Sequence, residues 1–198
     1  MNNEEYTFFN FLEDVSKKTS IKILPYTSCQ VMLMLSLAEQ ENILISKERR
    51  TGTTFLLILY ALWQALHNKK RVFYITKGFS NNTNVYLLNK VLDGLVDHKS
   101  YVATHYRYKF GEGEISFLHS FSKWQSRSSN IVIVDEIMLD KDCLLGLLDM
   151  DCKIDGLIVT CERDKRKACE ELLSKKFSFD VYEMIEEAAG QQIKWLTQ

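Results

Sequence analysis

The chain has 198 residues, 46% of them hydrophobic and 26% charged, with 25 Lys and Arg against 26 Asp and Glu. A chain of this length and apolar content folds as one domain that hides roughly 70% of the surface exposed when unfolded, which excludes disorder as the main state. The longest apolar run, Phe55 to Trp63, is nine residues, short of the roughly 20 a membrane-spanning helix needs, and the start MNNEEYTFFNF carries acids where a signal peptide carries positive charge.

The five cysteines are odd in number and show no CxxC spacing, so they suggest neither a disulfide framework nor a zinc ribbon. His67, His98, His105 and His119 stand in separate segments, and no two have metal-ligand spacing. Near-zero net charge hides an asymmetry. Residues 41–80 carry seven basic and two acidic side chains, while 134–198 carry nine basic and fifteen acidic ones. A basic segment beside an acidic one suits a protein that holds phosphate at one end, although it also serves solubility.

In chain order, Tyr6, Phe9, Leu12 and Val15 recur at helical spacing and predict a helix to about Lys17. IKILP reads as extended and closes on the only proline. A second helix starts near Ser28. NILIS at 42–46 reads as a buried strand, Thr54 to His67 as a buried helix, RVFYIT at 71–76 as a second strand, and Asn84 to Leu95 as a helix. ATHYRYKF and EISFLHSF flank Gly111-Glu112-Gly113 and predict a hairpin. IVIV at 131–134 is a third buried strand, followed by a helix near 141–149. GLIVT at 156–160 is a fourth strand, Arg163 to Lys175 a helix, and FSFDVYEM at 177–184 a fifth strand. Strands apolar on both faces that alternate with helices predict an α/β fold, a mostly parallel sheet covered on both sides. No repeat or Pro/Gly/Ser-rich linker divides it.

The first strand runs into Lys47-Glu48-Arg49-Arg50-Thr51-Gly52-Thr53-Thr54 and then a helix. A strand, a tight loop and a helix N-terminus form the geometry that holds polyphosphate on backbone N–H groups. Gly52 permits close backbone approach, and Thr53 and Thr54 offer hydroxyls where a Mg²⁺ ligand is needed. The G-x-x-x-x-G-K-[ST] pattern is not met, since Lys47 stands at the first glycine and Thr53 at the lysine. About eighty residues later another buried strand, the third, ends in Asp135-Glu136. An acid at a strand tip can hold the metal and its neighbour can polarise attacking water, so Asp135 is the candidate Mg²⁺ ligand and Glu136 the candidate base. A DE pair after a strand is common alone; combined with the basic loop it predicts a nucleotide-hydrolysis site.

From about Ile23 to Arg163 these residues resemble the ATPase domain of viral large terminase subunits, the P-loop motors that pump DNA into capsids. The resemblance lies in Pro25-Tyr26, Gln30 opening a helix, the strand NILIS, and the Arg-rich loop ERRTGTT. A lambda-type subset of that family carries its lysine first, as K-x-x-R-x-G-x-[ST], which Lys47, Arg50, Gly52 and Thr54 match. GEGEISFLHS and GLIVTCE are similar to the hairpin before the family's acid motif and to its third motif. The resemblance implies binding and hydrolysis of ATP with Mg²⁺. Tyr26, Gln30, Lys47, Arg49, Arg50, Thr51, Gly52, Thr53 and Thr54 would hold the nucleotide, and Thr54 and Asp135 the metal. Lys47, Arg50 and Glu136 would serve catalysis, and Thr160 would couple hydrolysis to movement. It also implies double-stranded DNA, bound weakly by the isolated chain, a portal or procapsid, a small terminase subunit and a homo-oligomeric ring as partners, with the host cytoplasm as the place of work and no membrane partner.

Two departures stand out. The chain ends about 35 residues after the third motif, so the expectation is a single ATPase domain over 1–198, with 1–22 as a helical lead-in and no nuclease domain. Cys29 also stands directly before Gln30, where the family carries an aromatic, and Tyr26 is the candidate replacement one helical turn away. Two alternatives remain open at this stage: a nucleotide-binding regulatory or interaction protein with weakened turnover, and a helicase-like ATPase.

Overall fold

The computed structural model describes residues 6–19, 21, 26–39, 42–48, 51–76, 80–118, 131–135 and 154–185. Five helices and eight strands are assigned among them. The helices are α1 (Phe8–Lys18), α2 (Ser28–Glu39), α3 (Thr53–Leu66), α4 (Ser80–Leu95) and α5 (Arg166–Leu173). The strands are β1 (Asn42–Lys47), β2 (Arg71–Thr76), β3 (Val102–Thr104), β4 (Arg107–Phe110), β5 (Gly113–Leu118), β6 (Ile131–Asp135), β7 (Gly156–Glu162) and β8 (Asp180–Met184). They form one sheet in the order β3-β4-β5-β2-β6-β7-β1-β8. From β5 to β8 every pairing is parallel, and only β3-β4 and β4-β5 are antiparallel.

The period-2 alternation of the strands sorts the core into two layers. Ile43, Ile45, Val72, Tyr74, Ile131, Ile133 and Ile158 face the layer packed by α1 to α4. Leu44, Phe73, Ile75, Val132, Val134, Leu157, Val159 and Cys161 face the other, where Cys169 and Leu173 of α5 pack. Each central strand is therefore apolar throughout because both its faces are covered.

Local chemistry sets the helix ends. At α1, Thr7 and Asn10 form a reciprocal capping box, and Lys17 and Lys18 pair with Glu13 and Asp14 one turn back. Phe8, Phe11, Leu12 and Val15 point inward, and burying each stabilises by about 1.5–3 kcal/mol. Most of α3 is buried around its whole circumference, as expected of a helix between the sheet and α1 and α4.

The hairpin forms as predicted. Phe110 pairs with Gly113 across a two-residue loop, and Gly111 takes the positive φ (62°) that such a loop needs. One expectation changes. ATHYRYKF is not a single extended stretch: the chain turns at His105-Tyr106, so Val102–Thr104 becomes a separate edge strand on β4. The predicted 163–175 helix begins as a single 3₁₀ turn, Arg163–Lys165, and ends at Leu173. The helix expected near 141–149 lies outside the described residues.

Candidate nucleotide-binding site

All six parallel strands run the same way, so β1, β6 and β7 end together on one edge. β1 and β6 do not pair; β7 lies between them. The register decides what meets there. Lys47 has the parity of Ile43 and Ile45, Asp135 that of Ile131 and Ile133, and Thr160 that of Ile158, so all three lie on the α3 side. A slip of one residue in any of these strands would send its side chain to the opposite layer.

Asp135 is the hub. Its side chain is 2% exposed, that of Lys47 is 10% exposed, and the Lys47 ammonium donates to Oδ1 at 2.8 Å. The Thr160 hydroxyl donates to the same oxygen at 2.8 Å, and the Tyr74 hydroxyl donates to Oδ2 at 2.9 Å. Lys47 Nζ also donates to Thr54 Oγ1 at 3.1 Å. Burial alone would raise the Asp135 carboxyl, but the Lys47 charge and the bonds from Lys47, Thr160 and Thr54 outweigh it and hold the group below its ordinary value. Asp135 is thus a buried carboxylate that stays ionised.

The loop is shaped from α2. Gly52 sits at the N-cap of α3 with φ 73° and ψ 3°, a left-handed conformation, and no side chain caps the helix. The first-turn N–H groups of an α-helix have no intrahelical acceptor, so α3 directs this ring of donors, with its positive dipole end, at the loop. Gln30 Nε2 donates to Thr51 O at 2.9 Å, while its Oε1 accepts from Thr27 N at 3.0 Å. The side-chain amide of Gln30 therefore ties the loop to the start of α2. A Cβ on residue 52 would stand 2.8 Å from Gln30 Nε2 and would displace that amide, while the left-handed backbone itself favours glycine. Thr51 and Thr53 share a hydroxyl bond of 2.8 Å, and the Thr51 hydroxyl donates to Glu48 O at 3.2 Å.

The sequence candidates separate accordingly. Gln30, Lys47, Thr51, Gly52, Thr53, Thr54, Asp135 and Thr160 converge on one edge of the sheet. Tyr26 is buried with the main core, its phenol raised first by burial and then by the nearby Glu13 carboxylate. Arg49, Arg50 and Glu136 lie outside the described residues. Tyr74 was missed as a site residue, because within RVFYIT it reads as core. The capping partner Thr27 was missed too, although T-x-x-Q before an apolar run is its signal.

The donor set fits a Mg²⁺ site that phosphates complete. The Lys47 ammonium already rests as a cation between a hydroxyl and a carboxylate oxygen, and Mg²⁺ takes hard oxygen ligands with few from protein. Among the described residues no group of three or more His, Cys, Asp or Glu forms a metal cluster, and no described helix is long and apolar enough to cross a membrane.

No family model matches the sequence, and no curated protein matches it. Solved structures do. The large terminase of bacteriophage HK97 aligns with TM-score 0.62 and 10% identity, over 89% of this chain and 43% of that one. The large terminase of a thermophilic bacteriophage, solved in complex with ADP, aligns with TM-score 0.55 and 13% identity, over 81% and 45%. The fold is shared with these large terminases. The N-terminal domain of the bacteriophage phi29 DNA packaging ATPase gives TM-score 0.56 and 14% identity, over 83% of this chain and 98% of that one. The UvsW helicase of bacteriophage T4 gives 0.57 and 13%, over 91% and 68%. The chain spans less than half the length of the HK97 terminase and of the ADP-bound terminase. At these identities the likeness is one of fold, shared between packaging ATPases and a helicase.

Proposed function

We propose that the chain binds ATP·Mg²⁺ on the loop Lys47–Thr54 and hydrolyses it as a DNA-packaging motor domain. The observation that carries this reading is the meeting of Lys47, Thr54, Asp135 and Thr160, from four separate elements, at the uncapped N-terminus of α3. The β- and γ-phosphates lie over the first-turn N–H groups of α3, with Gly52 allowing close approach. Lys47 supplies the ammonium that the standard loop carries after its glycine, where this chain has Thr53. Thr54 and Asp135 hold Mg²⁺, which when bound neutralises charge on the phosphate oxygens. Glu136, next after Asp135, draws the proton from the attacking water. Arg49 or Arg50 meets the charge that develops on the transferred phosphoryl group. Gln30 braces the loop that faces the phosphates.

The partners proposed are double-stranded DNA, a portal or procapsid, and a small terminase subunit. The isolated chain is mainly monomeric, slow in turnover and weak on DNA, since its net charge is −1. Assembly into a ring raises the rate. Light scattering across a concentration series, read beside specific turnover, checks this; a tight oligomer at sub-micromolar concentration contradicts it.

The likeness to the UvsW helicase over 91% of this chain favours a second reading, a helicase-like ATPase. Strand displacement on a forked duplex separates the two. The nucleotide site itself is tested by titrating a fluorescent ATP analogue with Mg²⁺. The parent binds and Lys47→Ala binds weakly or not at all; equal binding refutes Lys47 as the phosphate lysine.

A further inference from the structure

We propose that Tyr74 is a positioning residue that fixes the carboxylate plane of Asp135 for the metal, an inference resting on the nucleotide-site reading above. The terminal torsion of an aspartate is broad and roughly two-fold, so bonds to one oxygen leave the plane free to turn. The Lys47 and Thr160 bonds both fall on Oδ1, from the β1 and β7 side. Tyr74, from β2 on the other side of β6, takes Oδ2 at 2.9 Å. With a donor on each oxygen, the plane is set.

The hydroxyl is itself held in place. Tyr74 is fully buried, and its ring packs on Phe117 of β5 with centroids 5.4 Å apart. Phe117 and Tyr108 pack nearly perpendicular with centroids 6.3 Å apart, and the Tyr108 hydroxyl donates to Asn89 of α4 at 2.8 Å. This aromatic row carries the phenol across the sheet to the carboxylate. A buried hydroxyl is costly unless bonded, and phenylalanine would fill the same space without that cost. The carboxylate is therefore what makes tyrosine useful at 74.

The test is nucleotide affinity measured with and without Mg²⁺ by fluorescence of an ATP analogue. Tyr74→Phe keeps the ring and removes the donor. It should lower the Mg²⁺-dependent gain in affinity roughly 10- to 100-fold, the usual effect of losing a partner of a metal ligand, and leave metal-free affinity unchanged. Phe73→Leu, on the opposite face of β2, is the control. It should lower thermal stability while the Mg²⁺ gain stays. If the parent gains affinity with Mg²⁺ and Tyr74→Phe gains as much, Tyr74 has no positioning role and the inference falls alone. If Phe73→Leu loses the gain as Tyr74→Phe does, the effect is general destabilisation and the inference is again overturned. A parent that shows no Mg²⁺ gain overturns the nucleotide-site reading and this inference with it.

Discussion

Replacing Lys47 with methionine should separate stability from function in a way that only a buried ion pair produces. The pair is almost closed to water, with Lys47 10% and Asp135 2% exposed and a contact of 2.8 Å. Removing one partner of such a pair leaves an uncompensated buried charge, which costs about 3–5 kcal/mol. Asp135 keeps the Thr160 and Tyr74 hydroxyls, so the lower end applies, about 3 kcal/mol. For a chain of this size that is a fall of about 6–12 °C in Tm.

The pH dependence has a definite sign. In the parent the folded Asp135 carboxyl lies below its ordinary value, so its contribution is full above the unfolded value of about 3.9 and is lost as pH falls through the folded one. In Lys47→Met the opposing charge is gone, and burial, countered only by the remaining hydroxyl bonds, raises the folded carboxyl, so folding takes up a proton and the variant gains relative stability as pH falls. The gap between parent and variant should be widest near pH 8 and narrow toward pH 5. Adding Asp135→Asn to Lys47→Met should recover part of the loss. Urea unfolding of the three proteins across that range is the assay. A gap below about 1 kcal/mol, the scale of an exposed pair, or one independent of pH, would refute the reasoning.

Glu136→Gln should bind ATP like the parent but turn it over on the order of 10²-fold more slowly, measured as phosphate release; unchanged turnover would move the base elsewhere. Gly52→Ala forces an L residue into φ 73° and drives its Cβ against Gln30. It should lose about 1–2 kcal/mol in urea unfolding, with nucleotide affinity falling as well. Thr160→Val keeps the shape and deletes a donor to Asp135. It should cost about 1–2 kcal/mol and slow turnover more than it weakens nucleotide binding, which paired kinetic and equilibrium titrations would read.

Much of the fold was legible because the central strands are buried on both faces. NILIS, RVFYIT, IVIV and GLIVT are continuous apolar runs, and each leads into a polar segment at the same edge of the sheet. Strand β3 gave no such signal: Val102, Ala103 and Thr104 are all exposed, so neither alternation nor an apolar run marks them. The candidate phosphate loop stands out by chemistry local in sequence. The connection of Asp135 to Thr160 and Tyr74 was not, because it depends on β6 lying between β2 and β7. Strand order is a property of the packed sheet, and Tyr74 cannot be told from core until β2 has a neighbour. Gln30 was picked out for nucleotide contact, whereas its bonds in the structure brace the loop.

The central claim is that the edge formed by Lys47, Thr54 and Asp135 binds and cleaves ATP·Mg²⁺. Steady-state phosphate release by the parent and by Asp135→Asn, with Mg²⁺ and with the metal chelated, tests it most directly. The account predicts slow, Mg²⁺-dependent release by the parent and none above background from Asp135→Asn. Release that persists in Asp135→Asn or without the metal, or no release by the parent at any protein concentration with or without DNA, would contradict it.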